Sequence, residues 1–270
     1  MQSKKINLKS AIIKAVCLFL CFSFLAISQG GFEVKGATQT KIYKKTTTKN
    51  GAIKAEGYDY SLPVPLNVTQ QDLYMNSAVF LGDSRTVDLF IYSSLGKTGA
   101  KAYCDVGLNV SSVFSKRFIN QSGAQLTALE AIKKNKKSIS KAYLMFGINE
   151  LGYNVDEFIK LYKKLIDEIR KIKPSTIIYV QSILPVSKSK DNSDKLHNNQ
   201  NIRIFNEEIR KMCELKKVFY IDAYNVTANG EGYLPEFVAY DGVHFKNVYC
   251  EKWFEYLKKH TVIIKKEKVK

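Results

Sequence analysis

A serine, a histidine and an aspartate in this chain stand where they could carry out acyl transfer together. Ser84 ends the short apolar run Ala78-Val79-Phe80-Leu81 at the polar turn Gly82-Asp83-Ser84-Arg85. A serine hydroxyl is a weak nucleophile at neutral pH. It needs an imidazole to take its proton and a carboxylate to hold that imidazole in the right tautomer. The chain has three histidines. His260 lies in a lysine-rich terminal helical pattern and His197 in the polar stretch Lys188 to Gln200, so both read as solvated surface residues. His244 differs, because Asp241 precedes it by three residues in Asp241-Gly242-Val243-His244. A turn there folds the carboxylate back onto the ring and leaves the other ring nitrogen free to face a serine. Asp-x-x-His by itself is a weak pattern that usually marks a surface turn.

Three more blocks accompany it in order: Gly82-Asp83-Ser84 after a predicted strand, Gly107 in Asp105-Val106-Gly107-Leu108-Asn109, and Gly147-Ile148-Asn149-Glu150 after a second strand. With Asp241-Gly242-Val243-His244 they resemble the four blocks of the SGNH (GDSL-type) hydrolases. The resemblance runs from about Phe80 to the final helix. It implies Ser84 as nucleophile, His244 as base and Asp241 as its orienter. It also implies an oxyanion hole made of the Ser84 N–H, the Gly107 N–H and the Asn149 side-chain amide. The implied fold is a three-layer α/β/α sandwich around a flavodoxin-like parallel sheet of about five strands. Two positions depart from the family pattern: Arg85 stands where leucine is usual, and Glu150 where aspartate is common. Arg85, together with Tyr240, is a candidate for the substrate rim or else caps its helix surface. Glu150 is expected to brace the loop holding Asn149, and Asp83 to be a turn residue.

Elementary chemistry supports these positions independently. Acyl transfer builds negative charge on the carbonyl oxygen, and fixed donors aimed there are often the largest catalytic contribution. A serine opening a helix has a backbone N–H without an intrahelical acceptor, at the positive end of the helix dipole. Gly107 carries no Cβ to block approach to its N–H. Asn149 supplies a neutral donor that does not titrate.

The elements that must hold these residues alternate. Strands are predicted at Ala78 to Leu81, Ala100 to Val106, Ala142 to Phe146, Thr176 to Ser182 and Lys217 to Ile221. Helices are predicted at Ser122 to Lys134, Val155 to Ile172 ending before Pro174, Asn201 to Leu215, and Asn247 to His260. Alternation of this kind argues for a parallel sheet with helices on both faces. Each chemical block then follows the carboxyl end of a strand, where open α/β sheets place their ligands.

Residues 1–28 read as a secretory signal peptide or uncleaved anchor. Lys4, Lys5, Lys9 and Lys14 precede the apolar run Ala15 to Ile27, and Ala26-Ile27-Ser28 fits a small-x-small cleavage site. Residues 29–66 are polar and basic and read as a stalk or partly disordered arm. Residues 67–270 then form one catalytic domain. Lys plus Arg total 42 against 25 Asp plus Glu, a net charge of +17. Only five are arginines, and the lysines are spread out, which argues against a nucleic-acid reader. The charge fits a solvated surface or adhesion to an anionic cell-wall polymer or membrane surface. Cys104, Cys213 and Cys250 leave room for one disulfide or for buried free thiols. No phosphate loop, dinucleotide fingerprint or metal-ligand cluster appears in the sequence, so no cofactor is expected. The oligomeric state is not encoded legibly.

The expected activity is that of an extracytoplasmic serine ester hydrolase working through an acyl-enzyme. The leading substrate is an O-acetylated or otherwise O-acylated glycan, with Tyr224, Tyr233, Phe237 and Tyr240 either stacking on sugar rings or packing a long loop. A lipase, a lysophospholipase or an O-acetyltransferase of the same fold are the alternatives within this chemistry. A non-catalytic envelope-binding protein is the alternative outside it.

Overall fold

The computed structural model describes residues 40–265. The expected signal, 1–28, and the first part of the expected arm lie outside the described residues. Five apolar segments form the central sheet: β3 (Ala78–Gly82), β4 (Lys101–Cys104), β7 (Lys141–Met145), β8 (Ile177–Gln181) and β9 (Phe219–Ile221). Their order is β4-β3-β7-β8-β9 and every pairing is parallel. This is the flavodoxin-like order, in which the chain reverses direction across the sheet between β3 and β7. Strands buried on both faces need no polar alternation, which is why β3 and β7 are buried at every position.

Register fixes an aromatic ladder on one face. Phe80 pairs with Tyr143, Tyr143 with Tyr179, and Tyr179 with Phe219. The first two rings lie 4.6 Å apart and stacked, the next two 4.7 Å apart and stacked. Helices α1 (Ser84–Tyr92) and α7 (Asn247–Lys259) pack together on this side, with the fully buried Trp253 and Phe254 of α7 in the same core. On the other face Val79, Leu81, Leu144 and Val180 meet α2 (Ala128–Lys134), α3 (Val155–Ile172) and α5 (Asn199–Lys216). The buried stripe Phe158, Ile159, Tyr162, Leu165, Ile166 and Ile169 gives α3 one apolar face at helical spacing. Asn154 caps its start by accepting from the Asp156 and Glu157 N–H groups. The short helices α4 (Lys188–Ser193) and α6 (Ala223–Thr227) complete the connections after β8 and β9.

Two expectations change. The described part of the predicted arm, from Thr40 on, belongs to the folded body. β1 (Ile42–Thr47) pairs in parallel with β10 (Ile263–Lys265) and antiparallel with β2 (Ile53–Glu56). Tyr58, Tyr60 and Val64 are buried, with Tyr58 edge-on to Phe219 at 5.1 Å and the Val64 N–H bonded to the Tyr220 carbonyl. The domain therefore extends well ahead of residue 67. Lysines and threonines on both faces of β1, with Ile42 exposed, leave it no clean alternation, and its partner β10 lies more than 200 residues away in sequence. The predicted helix from Ser122 instead begins as a hairpin, β5 (Ile119–Gln121) and β6 (Ala124–Leu126). Ser122 and Gly123 both take positive φ, as a two-residue hairpin turn of this hand requires. Thr127 then opens α2 with a reciprocal capping box to Glu130. Cys104, Cys213 and Cys250 are free thiols.

Candidate active site

Asp83 ends the extended backbone after β3 and accepts a hydrogen bond from the Arg85 N–H at 3.0 Å, so Ser84 becomes the first residue of α1. Burial raises the Asp83 carboxyl to about 6 even against the pull of the Arg85 guanidinium. The Ser84 Oγ lies 2.8 Å from His244 Nε2, and His244 Nδ1 lies 2.7 Å from Asp241 Oδ2. The other Asp241 oxygen accepts from the Val243 N–H at 2.9 Å and the His244 N–H at 2.8 Å. Partial burial pushes the Asp241 carboxyl up, but the hydrogen bonds from His244 and Val243 outweigh it and hold the group at about 2. A carboxylate only accepts, so the Nδ1 proton points at Asp241 and Nε2 turns its lone pair to the serine hydroxyl.

The turn that carries His244 is pinned on three sides. Gly242 takes φ +79, and a Cβ there would lie 2.7 Å from Lys190 Cβ and 2.8 Å from Ser187 Oγ. The Ser187 N–H donates to the Gly242 carbonyl at 2.9 Å. The Phe245 N–H donates to Asp88 Oδ2 on α1 at 3.3 Å, tying the turn of His244 to the helix that carries Ser84.

Arg85 is no part of the rim. Its side chain is 1% exposed and runs inward from α1. Its guanidinium donates to the Leu184 carbonyl at 2.7 Å and the Pro185 carbonyl at 3.4 Å, and lies 5.9 Å from the Phe245 ring centre. Burial lowers its pKa to about 10, with Asp83, Asp241 and Asp88 opposing, so it stays charged at neutral pH. Arg85 thereby ties the loop after β8 to the helix that opens at Ser84. Tyr240, by contrast, is 64% exposed and lies nearly parallel to the His244 ring at 5.6 Å. Tyr224 is spent on a bond from its hydroxyl to the Gly232 carbonyl at 2.7 Å.

The three expected oxyanion donors sit on three loops. Ser84 N–H opens α1, Gly107 follows β4 with φ +71 and open space where a side chain would project, and Asn149 follows β7. Asn149 Nδ2 donates one hydrogen to the Leu108 carbonyl at 3.0 Å, which orients the amide and leaves its second N–H for another acceptor. Glu150 joins the same two loops: Oε1 accepts from the Val110 N–H at 2.7 Å, while the side chain is wholly buried. Burial, reinforced by Asp83, raises its carboxyl to about 8, so it is mostly neutral at pH 7.

That buried acid has a measurable consequence. Its folded pKa lies above the unfolded value, so the native state binds the proton more tightly and stability falls as pH rises through that interval. Asp83 acts with the same sign, but over the lower range up to about 6. Between pH 6 and 8 the thermal midpoint is expected to drop in the wild type and to stay nearly level in Glu150→Gln, which keeps an acceptor for Val110. Equal slopes in calorimetric scans across this range would place the proton elsewhere.

Gly107, Ser84 and Asn149 follow the carboxyl ends of three adjacent strands, β4, β3 and β7, with His244 hydrogen-bonded to Ser84. The GDSL-like Lipase/Acylhydrolase family model matches residues 80–247, from β3 to the start of α7. The chain belongs to this family. As a GDSL-like acylhydrolase it is a serine hydrolase acting on ester bonds. A solved structure described as a platelet activating factor from Streptococcus pneumonia is 18% identical, covering 69% of this chain and 87% of that one with a TM-score of 0.52. A structure described as a GDSL-like lipase from Parabacteroides merdae is 14% identical, covering 72% and 98% with a TM-score of 0.52. At these identities the likeness is one of fold. No curated protein matches the sequence significantly. A cleft of about 1220 Å³ lies between the 48–52 turn and α3 and contains none of the acylhydrolase's candidate residues.

Sequence reasoning missed two things in this region. One is the inward path of Arg85, which only the position of the β8 loop reveals. The other is the turn Asp194-Lys195-Leu196-His197, whose Asp-x-x-His spacing repeats that of Asp241 to His244 and was the available signal.

Proposed function

We propose that the protein is an extracytoplasmic carbohydrate O-acyl esterase, acting chiefly on O-acetyl groups, with Ser84, His244 and Asp241 as its catalytic triad. The observation that carries the triad is the continuous line Ser84 Oγ, His244 Nε2, His244 Nδ1, Asp241 Oδ2, with links of 2.8 and 2.7 Å. As Ser84 Oγ attacks the acyl carbon, its proton passes to Nε2 and the carbonyl oxygen gains charge beside the Ser84 and Gly107 N–H groups and the free Asn149 N–H. His244 returns the proton to the departing alcohol oxygen, leaving an acyl-serine. Water then attacks the acyl carbon, giving its proton to Nε2, and Ser84 leaves with that proton restored.

Tyr240 supports the carbohydrate reading, since an exposed aromatic face beside the base offers a stacking surface for a sugar ring next to the scissile bond. The leader pattern of residues 1–28 and the lysine-rich surface support work at an anionic envelope. Exposed Phe237 and Val248 favour a lipid acyl ester as the second reading. Under the first reading kcat/KM for an O-acetylated oligosaccharide exceeds that for a lysophospholipid by at least an order of magnitude, and the protein recovered from the medium or envelope fraction begins after Ser28. A preference for the lysophospholipid would favour the second, and an intact Met1 on a cytosolic protein would remove the placement.

A further inference from the structure

Asp194 and His197 repeat the local geometry of the base turn. One Asp194 oxygen accepts from the Leu196 N–H at 2.9 Å and the His197 N–H at 3.0 Å, and the other lies 3.0 Å from His197 Nδ1. In the base turn the same three contacts run from Asp241 to Val243, His244 and the His244 ring. Lys190 Nζ also lies 3.0 Å from Asp194 Oδ2. The backbone N–H groups of His197 and Leu196, with Lys190, hold the Asp194 carboxyl far below the ordinary carboxylate range, so it remains an acceptor. In the neutral imidazole the Nδ1 proton then points at Asp194 and the lone pair lies on Nε2. Nε2 has no hydrogen-bond partner among the described residues, and the His197 side chain is 36% exposed.

Position makes this pair more than a surface turn. The segment that carries it leaves the carboxyl end of β8 and touches the site from two sides. At one end Lys190 and Ser187 pack on Gly242 of the base turn. At the other, Leu196 reaches the loop of Asn149, where a Cβ on Gly152 would lie 3.3 Å from Leu196 Cδ1. Arg85 anchors the same segment to α1 through the Leu184 and Pro185 carbonyls. Exposed Tyr153 follows Gly152 directly and adds an aromatic surface to this flank.

We propose that His197, oriented by Asp194, is a specificity residue whose Nε2 accepts a hydrogen bond from a hydroxyl of the alcohol part of the ester. The inference rests on the carbohydrate reading above, because such a lone pair discriminates a polyhydroxylated leaving group from an aryl or alkyl one. Its worth should be that of one well-made hydrogen bond, about tenfold in binding.

The test compares kcat/KM on 6-O-acetylglucose with kcat/KM on 4-nitrophenyl acetate, and reads their ratio. His197→Ala and His197→Phe are expected to lower the ratio about tenfold, mainly through KM for the sugar ester. His197→Gln, which restores a carbonyl acceptor, is expected to retain more of it than His197→Phe. A ratio unchanged in both the Ala and Phe variants, whether the two activities hold or fall together, overturns the role of His197 while leaving the carbohydrate reading intact. A wild type that hydrolyses the aryl ester but not the sugar ester overturns the carbohydrate reading itself, and this subsite with it.

Discussion

Ser84→Ala removes ester turnover and the covalent intermediate together, with a fall in kcat of roughly a millionfold, the scale seen when a triad nucleophile is deleted. The size follows from what the hydroxyl does. Without Oγ no bond to the acyl carbon forms, and His244 Nε2, now lacking its partner at 2.8 Å, has only water to activate. The oxyanion donors survive, so a residual rate of about a thousandfold or more over uncatalysed hydrolysis is expected to remain. The fold is expected to survive as well. Ser84 contributes one side-chain hydrogen bond, and the start of α1 is set by Asp83, whose bond to the Arg85 N–H does not involve the hydroxyl. A thermal midpoint within a few degrees of the wild type, measured beside the rate, separates loss of chemistry from loss of structure.

Asp241→Asn is expected to cost roughly ten-thousandfold in kcat while leaving the turn in place. The amide keeps an oxygen to accept from the Val243 and His244 N–H groups, the two bonds that shape the turn. What changes is the atom facing the ring. An amide N–H directed at Nδ1 requires a lone pair there, which moves the imidazole proton to Nε2. That nitrogen then cannot take the proton of Ser84. The wild-type carboxyl, held at about 2, stays ionised throughout the working range, so its own titration should not shape the activity profile near neutrality. The check is kcat at saturating ester together with the ring-nitrogen chemical shifts of His244, which report the tautomer. Near-normal activity with the proton still on Nδ1 would show that another acceptor holds the ring.

The sheet and most of the site could be read from the sequence because their signals are local. Strands buried on both faces leave unbroken apolar runs such as Ala78 to Leu81, and the Ser84 and Asn149 blocks each follow one of them. Asp241 and His244 are three residues apart, so their pairing needs only one turn. The misread parts depend on partners remote in sequence. β1 finds β10 more than 200 residues later, and its lysines and threonines dilute the alternation that would have announced it. The Ser122-Gly123 turn lies inside a run that otherwise reads as helix, and only the positive φ of both residues reveals the hairpin. Arg85 looked like a rim residue because its character suits solvent, yet the Leu184 and Pro185 carbonyls accept from its two terminal nitrogens inside, while its buried Nε has no partner among the described residues. Asp194 and His197 carried the same spacing as the base turn, but polar neighbours made the pair look like ordinary surface. The segment that carries them meets the site through neighbours, Ser187 and Lys190 at Gly242 and Leu196 at Gly152, which the local spacing does not reveal.

The proposed mechanism requires that Ser84 become acylated during turnover. The most direct measurement is mass spectrometry of the wild-type protein and its His244→Ala variant after brief incubation with 4-nitrophenyl acetate and acid quenching, followed by peptide mapping. One acetyl group is expected on the peptide containing Ser84 in the wild type, and a strongly diminished adduct in the variant. Continued wild-type turnover with acetyl on a different residue, or an equal adduct in both proteins, would contradict that mechanism.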